Sequence, residues 1–512
     1  MHTARMPLPT LRAFAVSLFA ATLLAQAPTP LTAGRVEELA KSAREQFGAQ
    51  GLAVAVVQDG VVLASLGVGE RAPGQPMTQH TVTNIASCSK AFTAAAVALL
   101  VHEGKLQWDD PVQKHLPEFR LADPWISSHM TVRDLLSHRC GLVTFAGDLL
   151  WYGSDYDDAE VLRRAAGLPI VQRFREQFGY QNLMYLAAGM IVAKYAGCSW
   201  EEFVEQRFFG PLGMTRSRAS AQRLPQDAEK ALPHIAGKVI PDHEFVACKP
   251  AASIYASAFD LTAWMRMLLD GGKWNGSTIL TEDALREMWR PHVSTSKQGT
   301  GPDTGDLSSY GLGWFLSLER GQKVVEHDGG MPGFLSKVSL MPAEKFGFVV
   351  LNNSNDGVLN EAVKRALFAE RRGGDGMEQL TRLAAIKRRI DQRDVAERKA
   401  REAQQKPNTH PSLALDAYVG RYEDAIYGPA EIRREGDGLA IVLLPSQRRL
   451  FGALAHWHLD TFRVDWPDAF LPFGLVRFEL DHTGKVAGFR IDCPIADFDF
   501  GALDFRAVQK GQ

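Results

Sequence analysis

The most restrictive stretch of this chain is Ala91–Glu103, AFTAAAVALLVHE, which ends at Gly104. It is helix-forming and apolar on nearly every side, so no face of it suits water and the fold has to surround it. A chain of 512 residues with 46 % hydrophobic content has the material to do so and, at roughly 150 residues per domain, holds two to four units. On either side of that helix lie strand signals. Leu52–Val57 and Val61–Leu66 are joined across Asp59-Gly60, a strong hairpin dipeptide, and Phe334–Leu340 and Gly347–Leu351 are joined by the polar Ala343-Glu344-Lys345 turn. Strands at both ends with helices between predict an α+β domain whose sheet is completed late in the chain.

The texture changes twice further on. From 371 to 410 Gly-Gly-Asp-Gly leads into a charge-dense run, RLAAIKRRIDQRDVAERKAREAQQK, which reads as an exposed helix or linker. From 411 to 512 short alternating runs (Glu431–Arg434, Leu439–Leu444, Gly474–Leu480, Val486–Ile491) are separated by turns such as Gly436-Asp437-Gly438. That pattern predicts a small all-β barrel or sandwich. At the other end, Arg5 and Arg12 precede the apolar run Ala13–Ala25 and the small-x-small site Ala25-Gln26-Ala27. Residues 1–27 therefore read as a secretory signal, with an uncleaved anchor as the alternative; the run is too short for the ~20 residues of a membrane span. The expected location is periplasmic or secreted.

A balance of 57 basic against 59 acidic residues excludes a broad electrostatic footprint for nucleic acid. Five cysteines cannot build a disulfide scaffold; a Cys88–Cys140 bridge is left open. Gly67-Val68-Gly69-Glu70-Arg71-Ala72 spells a dinucleotide fingerprint, but no helix follows it. His456 and His458 are spaced to share a strand face, yet no third ligand of clear spacing joins them, so packing is the expected role. No metal or cofactor is predicted, and the partner expected is a small-molecule or peptide substrate.

Three short segments carry chemistry. In Ser87-Cys88-Ser89-Lys90, positions i and i+3 share a helix face, so the serine hydroxyl and the lysine amine can meet. The amine accepts a proton only if burial depresses its pKa, and the apolar helix behind it supplies that setting. Cys88 points about 100° away from that face and reads as packing. A second copy, Ser294-Thr295-Ser296-Lys297, lies in a polar, Gly-rich loop with nothing to hold a geometry. In Tyr180-Gln181-Asn182, a phenol close to two cations can shuttle a proton and an amide can orient a carbonyl. In His327-Asp328-Gly329-Gly330, glycines admit a substrate backbone; three glycines and a proline within 326–333 are too many for an ordinary strand interior, and a surface histidine is the competing reading for His327.

Taken as a set, Ser-x-x-Lys, Tyr-x-Asn 93 residues on and His-x-Gly 147 residues further resemble the serine β-lactamase and penicillin-binding superfamily. The likeness is nearest to class C β-lactamases and their esterase and D-aminopeptidase relatives. Supporting stretches are IASCSKAFTAAAVALLVHEGKLQWDDPV, MTVRDLLSHRCGL at 130–142 and PAASIYASAFDLTAWMRMLLDGG at 250–272. The resemblance implies a β-lactamase/transpeptidase-like hydrolase domain over 31–370, followed by a lipocalin-like barrel. It makes Ser87 the nucleophile, Lys90 its base and Tyr180 the proton relay. Asn182 would hold the substrate amide, and Gly329 and Gly330 would line the site, the Ser87 and Gly330 N–H groups forming an oxyanion hole. His327 stands where most β-lactamases have a permanently charged lysine, and Met331 where a small residue is common, which implies small peptides, D-amino-acid derivatives or esters rather than antibiotics. A penicillin-recognising sensor, acylated without turnover, is the alternative.

Overall fold

The computed structural model of the protein describes residues 31–295 and 308–508. The signal reading of 1–27 lies outside these residues, as do Ser296 and Lys297 of the second Ser-x-x-Lys copy. Asp59 and Gly60 take φ of 52° and 77°, the left-handed pair that a two-residue hairpin needs, and join Gly51–Gln58 to Val61–Ala72. Gly51–Gln58 pairs antiparallel with the late strand Phe346–Asn352, Leu52 opposite Asn352 and Val56 opposite Phe348. Early and late segments thus share one nine-stranded sheet, in which Gln322–Met331 and Phe334–Met341 follow next.

Both faces of the sheet are covered. Leu52, Val54 and Val56 pack with the helices Ala33–Phe47 and Gly357–Glu370, while Ala53, Ala55 and Val57 face the larger core. That core encloses the helix Ser89–His102, buried from Ser89 to Leu100 as its composition requires. The architecture is α+β with an antiparallel sheet flanked by helices, followed by a closed β-barrel.

Two local expectations need correction. The strand Gln322–Met331 continues through Gly329 and Gly330 rather than stopping at the glycines. A Cβ on Gly329 would lie 2.2 Å from the Ile85 carbonyl oxygen, so this glycine is there because the backbone before Ser87 crosses the strand at contact distance. His327, on the same strand, is buried and not a surface residue. The charged run is a helix, Gly376–Glu402, capped by Asp375; its first half buries Leu380 and Ala384, Leu380 against the first helix and the sheet, while residues 391–400 are all exposed. All five cysteines are free thiols, so Cys88 and Cys140 are not bridged. A bulge separates His456 from His458, and His456 Nε2 bonds the Leu459 carbonyl. Among the described residues no helix is long and apolar enough to cross a membrane.

The barrel closes from Gly420–Asp424 to Phe505–Ala507 through eight strands. Its interior is filled by rings, with Tyr418–Phe478, Tyr422–Phe489 and Phe489–Phe505 centroids 4.7–4.9 Å apart. It docks on the preceding α+β domain through Asp468, whose carboxylate accepts from Tyr152 at 2.8 Å and from Arg449 at 2.9 Å. Arg449 also donates to the Asp242 carbonyl at 2.9 Å. The Asp468 side chain is only 2 % exposed, so removing its cation leaves a buried charge supported by one phenol and the Phe470 N–H at 3.1 Å. Arg449→Met is expected to destabilise this docked state by about 3 kcal/mol, read as a lowered first transition in calorimetry; an unchanged trace would mean that the pair adds nothing net.

Candidate active site

Ser87 lies on the short 3₁₀ turn Ala86–Cys88 that leads into the buried helix. Ala86 stands at φ 45°, a conformation that costs a non-glycine residue about 1–2 kcal/mol, and its N–H is held by Asn84 Oδ1 at 2.6 Å. The strained turn lifts Ser87 out of its surroundings: within 81–90 every other residue is buried.

Lys90 follows in the first helical turn, with no solvent access at all. Its Nζ lies 3.0 Å from Ser87 Oγ, 2.7 Å from Asn182 Oδ1 and 3.0 Å from the Ala251 carbonyl oxygen. Burial lowers its pKa from 10.5 to about 7, with Cys248 and Asp148 opposing the fall. The drop corresponds to roughly 5 kcal/mol of preference for the neutral amine relative to water. A neutral amine has two hydrogens and one lone pair. Asn182 Oδ1 and the Ala251 carbonyl can only accept, so they take both hydrogens and the lone pair is left for the Ser87 hydroxyl.

Asn182 is oriented in turn. Its Nδ2 donates to Asp148 Oδ2 at 2.6 Å, which settles which end of the amide faces Lys90 and leaves one Nδ2 hydrogen for a ligand. Asp148 also accepts from Trp151 Nε1 at 2.9 Å, and burial raises its pKa to about 7. A buried chain therefore runs Asp148, Asn182, Lys90, Ser87. Asp148 escapes a motif search, although a lone carboxylate in the apolar run 143–152 is the signal that could have found it.

Tyr180 is 8 % exposed, and its buried hydroxyl faces Ser87 without a well-aligned hydrogen bond among the described residues. Burial carries its pKa well above 10, with Ser87 working against the rise, so the phenol keeps its proton. Lys90 sits over the ring, 4.7 Å from its centroid, rather than beside the oxygen. His138 backs the ring at 4.2 Å and accepts the Gln181 N–H on Nδ1 at 3.0 Å, which pins the backbone between Tyr180 and Asn182.

His327 is a neutral group beside Tyr180, their ring centroids 6.1 Å apart. Its Nδ1 donates to the Asp328 carbonyl at 2.6 Å, so Nε2 is the acceptor for the Tyr310 hydroxyl at 2.9 Å. Burial, with Lys90 nearby, lowers its pKa to about 3, and the imidazole is neutral. Asp328 points away, to Lys337 at 2.7 Å on the neighbouring strand. Gly330 is exposed in the cleft opposite Ser87, whereas Gly329 is buried against the Ile85 backbone.

These groups open into a cleft of about 570 Å³ that also takes Phe470, Asp497 and Phe498 from the barrel, which no motif announced. The sequence-predicted residues Ser87, Tyr180, Asn182, His327 and Gly330 all line it, and Lys90 lies beneath.

The family model described as Beta-lactamase matches residues 36–370, and one described as Domain of unknown function (DUF3471) matches 404–508. The chain is 27 % identical over 344 residues to "Unguisins hydrolase ungD'" of Aspergillus campestris (strain IBT 28561), covering 62 % of this chain and 60 % of that protein. It thus spans about three fifths of the length of the curated relatives that it matches. Among solved structures, the octameric penicillin-binding protein homologue from Pyrococcus abyssi aligns with TM-score 0.60 at 21 % identity, over 91 % of this chain and 99 % of that one. D-amino acid amidase from Ochrobactrum anthropi SV3 aligns with TM-score 0.53 at 24 % identity, over 65 % and 99 %. At these identities the structural likeness concerns the fold.

The state of Lys90 sets a pH dependence. Below about 7 the amine is protonated, its lone pair is gone and Ser87 loses its acceptor. The rate at which a fluorophosphonate modifies Ser87 should therefore rise about tenfold per pH unit up to roughly neutral and then level off, the midpoint belonging to Lys90 and Asp148 jointly. A rate independent of pH between 5 and 9 would contradict it.

Proposed function

Because this chain belongs to the β-lactamase family, whose members include serine hydrolases, we propose that it hydrolyses small peptide, D-amino-acid or ester substrates through an acyl-enzyme, with at most weak action on β-lactams. The observation that carries the reading is the buried Lys90 amine, whose two hydrogens are occupied and whose lone pair meets Ser87 Oγ at 3.0 Å.

In this reading Ser87 gives its proton to Lys90 as Oγ attacks the substrate carbonyl carbon. The oxyanion forms against the N–H groups of Ser87 and Gly330, each donor contributing on the order of 3 kcal/mol. Tyr180, still protonated, gives its proton to the leaving group and recovers one from Lys90. A water then repeats the sequence on the acyl-enzyme, with Ser87 as leaving group. Asn182 offers its remaining N–H to the substrate, and Gly329 lets the strand edge lie against the nucleophile turn.

The electrostatics of the cleft bear on substrate. Among the described residues no lysine or arginine lines it, and His327 is neutral, so nothing there holds the carboxylate of a β-lactam. The likeness to a D-amino acid amidase favours amide substrates. The N-terminal segment makes export part of the same proposal.

A panel of D- and L-aminoacyl amides, short-chain esters and cephalosporins tests the reading. Turnover of amides or esters, with cephalosporins much slower, is expected, and Ser87→Ala should lower kcat by at least ~10³-fold. Labelling of Ser87 without turnover of any substrate would replace the hydrolase by an acylated sensor. Tyr180→Phe should slow amide hydrolysis by about 10²–10⁴-fold while sparing p-nitrophenyl esters, whose leaving group needs no proton. Equal losses on both would remove Tyr180 from that role.

A further inference from the structure

The second acceptor of Lys90 belongs to a piece of backbone that cannot satisfy itself. Lys249–Ala252 is a helix of four residues, and its Lys249 carbonyl accepts the Ser253 N–H at 3.1 Å. The next two N–H groups, which would serve the Pro250 and Ala251 carbonyls if the helix went on, are taken elsewhere. Ile254 donates to Ser89 Oγ at 3.1 Å, and Tyr255 donates to the Arg218 carbonyl at 2.8 Å. Two orphan carbonyls are therefore left for the buried helix Ser89–His102. Thr93 Oγ1 donates to the Pro250 carbonyl at 2.6 Å, and Lys90 Nζ donates to the Ala251 carbonyl at 3.0 Å. Lys90 and Thr93 share a helix face, so consecutive carbonyls are gripped by residues one turn apart.

The short helix also rests on Asn182–Ala196, which carries the first acceptor, Asn182, at its start. Two turns later, on the same face, stands Gly189. A Cβ there would lie 2.0 Å from Pro250 Cγ and 2.6 Å from Pro250 Cβ, so the two helices meet at a distance that only glycine permits. The entrance to the short helix is held as well. Cys248 takes the left-handed φ of 65°, its N–H donates to Asp158 Oδ1 at 2.9 Å, and Lys249 pairs with Glu201 at 2.8 Å. Neither Thr93 nor Gly189 lines the cleft; what they share is Pro250.

We propose that Thr93 and Gly189 are positioning residues for the base: together they hold Pro250 so that the Ala251 carbonyl takes one hydrogen of Lys90 and leaves the lone pair to Ser87. The proposal rests on the reading of Lys90 as the base of Ser87. Asn182 by itself claims one hydrogen, and an amine with its other hydrogen unclaimed is free to turn the lone pair away. Displacing the Ala251 carbonyl also has an effect opposite in sign to a general loosening of the site. A carbonyl acceptor favours the ammonium form, so its loss lets Lys90 give up its proton at lower pH. Water admitted to the site favours the ammonium form too, and moves the titration up toward 10.5.

Fluorophosphonate labelling of Ser87 in the full chain, followed against pH, tests this. Thr93→Val keeps the shape of the side chain and removes the hydroxyl, while Gly189→Ala pushes on Pro250 from the other helix. Each is expected to lower the plateau rate about tenfold or more, because a small misplacement of a catalytic group is costly. Each should also move the midpoint below the wild-type value of about 7. Thr93→Ser retains the hydroxyl and should label within about threefold of wild type. A Thr93→Val plateau within about twofold of wild type, a slowed variant whose midpoint rises, or a Thr93→Ser variant no faster than Thr93→Val would overturn the proposal. Wild-type labelling that is absent or ignores pH removes Lys90 as the base and the positioning role together. A pH-dependent wild type beside an unaltered Thr93→Val removes the positioning role alone.

Discussion

The site depends on one amine kept out of water. Lys90 is useful to Ser87 only while neutral, and it gives up its charge around pH 7 rather than near 10.5 because burial makes its charged form costly. Desolvation alone would leave the lone pair undirected. The direction comes from two acceptors, Asn182 Oδ1 and the Ala251 carbonyl, that absorb both hydrogens. Asn182 in turn is oriented by Asp148, so the choice of proton acceptor at Ser87 is made by a carboxylate two links away. The apolar, Ala-rich helix is the physical origin of the chain: its first turn carries Lys90, and the rest of it keeps water away.

The same economy of contact explains the strand beside the nucleophile. Gly329 permits the turn before Ser87 to lie on the strand backbone, and Ser336 Oγ closes the gap by donating to the Ile85 carbonyl at 2.7 Å. His327 is satisfied within the protein by the Asp328 carbonyl and Tyr310, which leaves it a neutral wall rather than an anchor for anions. What charge the cleft has is negative and lies toward the barrel. The barrel docks through Arg449, Asp468 and Tyr152, residues adjacent in the chain or in space to those it lends to the cleft.

Much of the scaffold was legible. Asp59-Gly60 announced its hairpin because a positive φ at two successive residues is a demand few dipeptides meet, and the helix 91–103 announced its burial because it has no polar face. The strand through Gly329 and Gly330 was misread, since glycine ordinarily weakens a strand and the sequence cannot show that another backbone needs the space. Asp148 was passed over for a related reason: a single acidic residue among apolar ones has no motif, and its meaning lies in Asn182, which is 34 residues away. Asp497 is more remote still, in a different domain.

By itself the amino-acid order determined the Asp59-Gly60 hairpin, the buried helix that follows Ser87, and that Ser87 and Lys90 share a face. Those properties depend on residues within one or two turns of one another, where backbone sterics and periodicity decide. Only the tertiary structure decided that Lys90 is dry, that His327 is neutral, and that two carboxylates from separate domains face one cleft. Protonation states and binding surfaces follow from what surrounds a group in three dimensions, and most of those surroundings are contributed from distant parts of the chain.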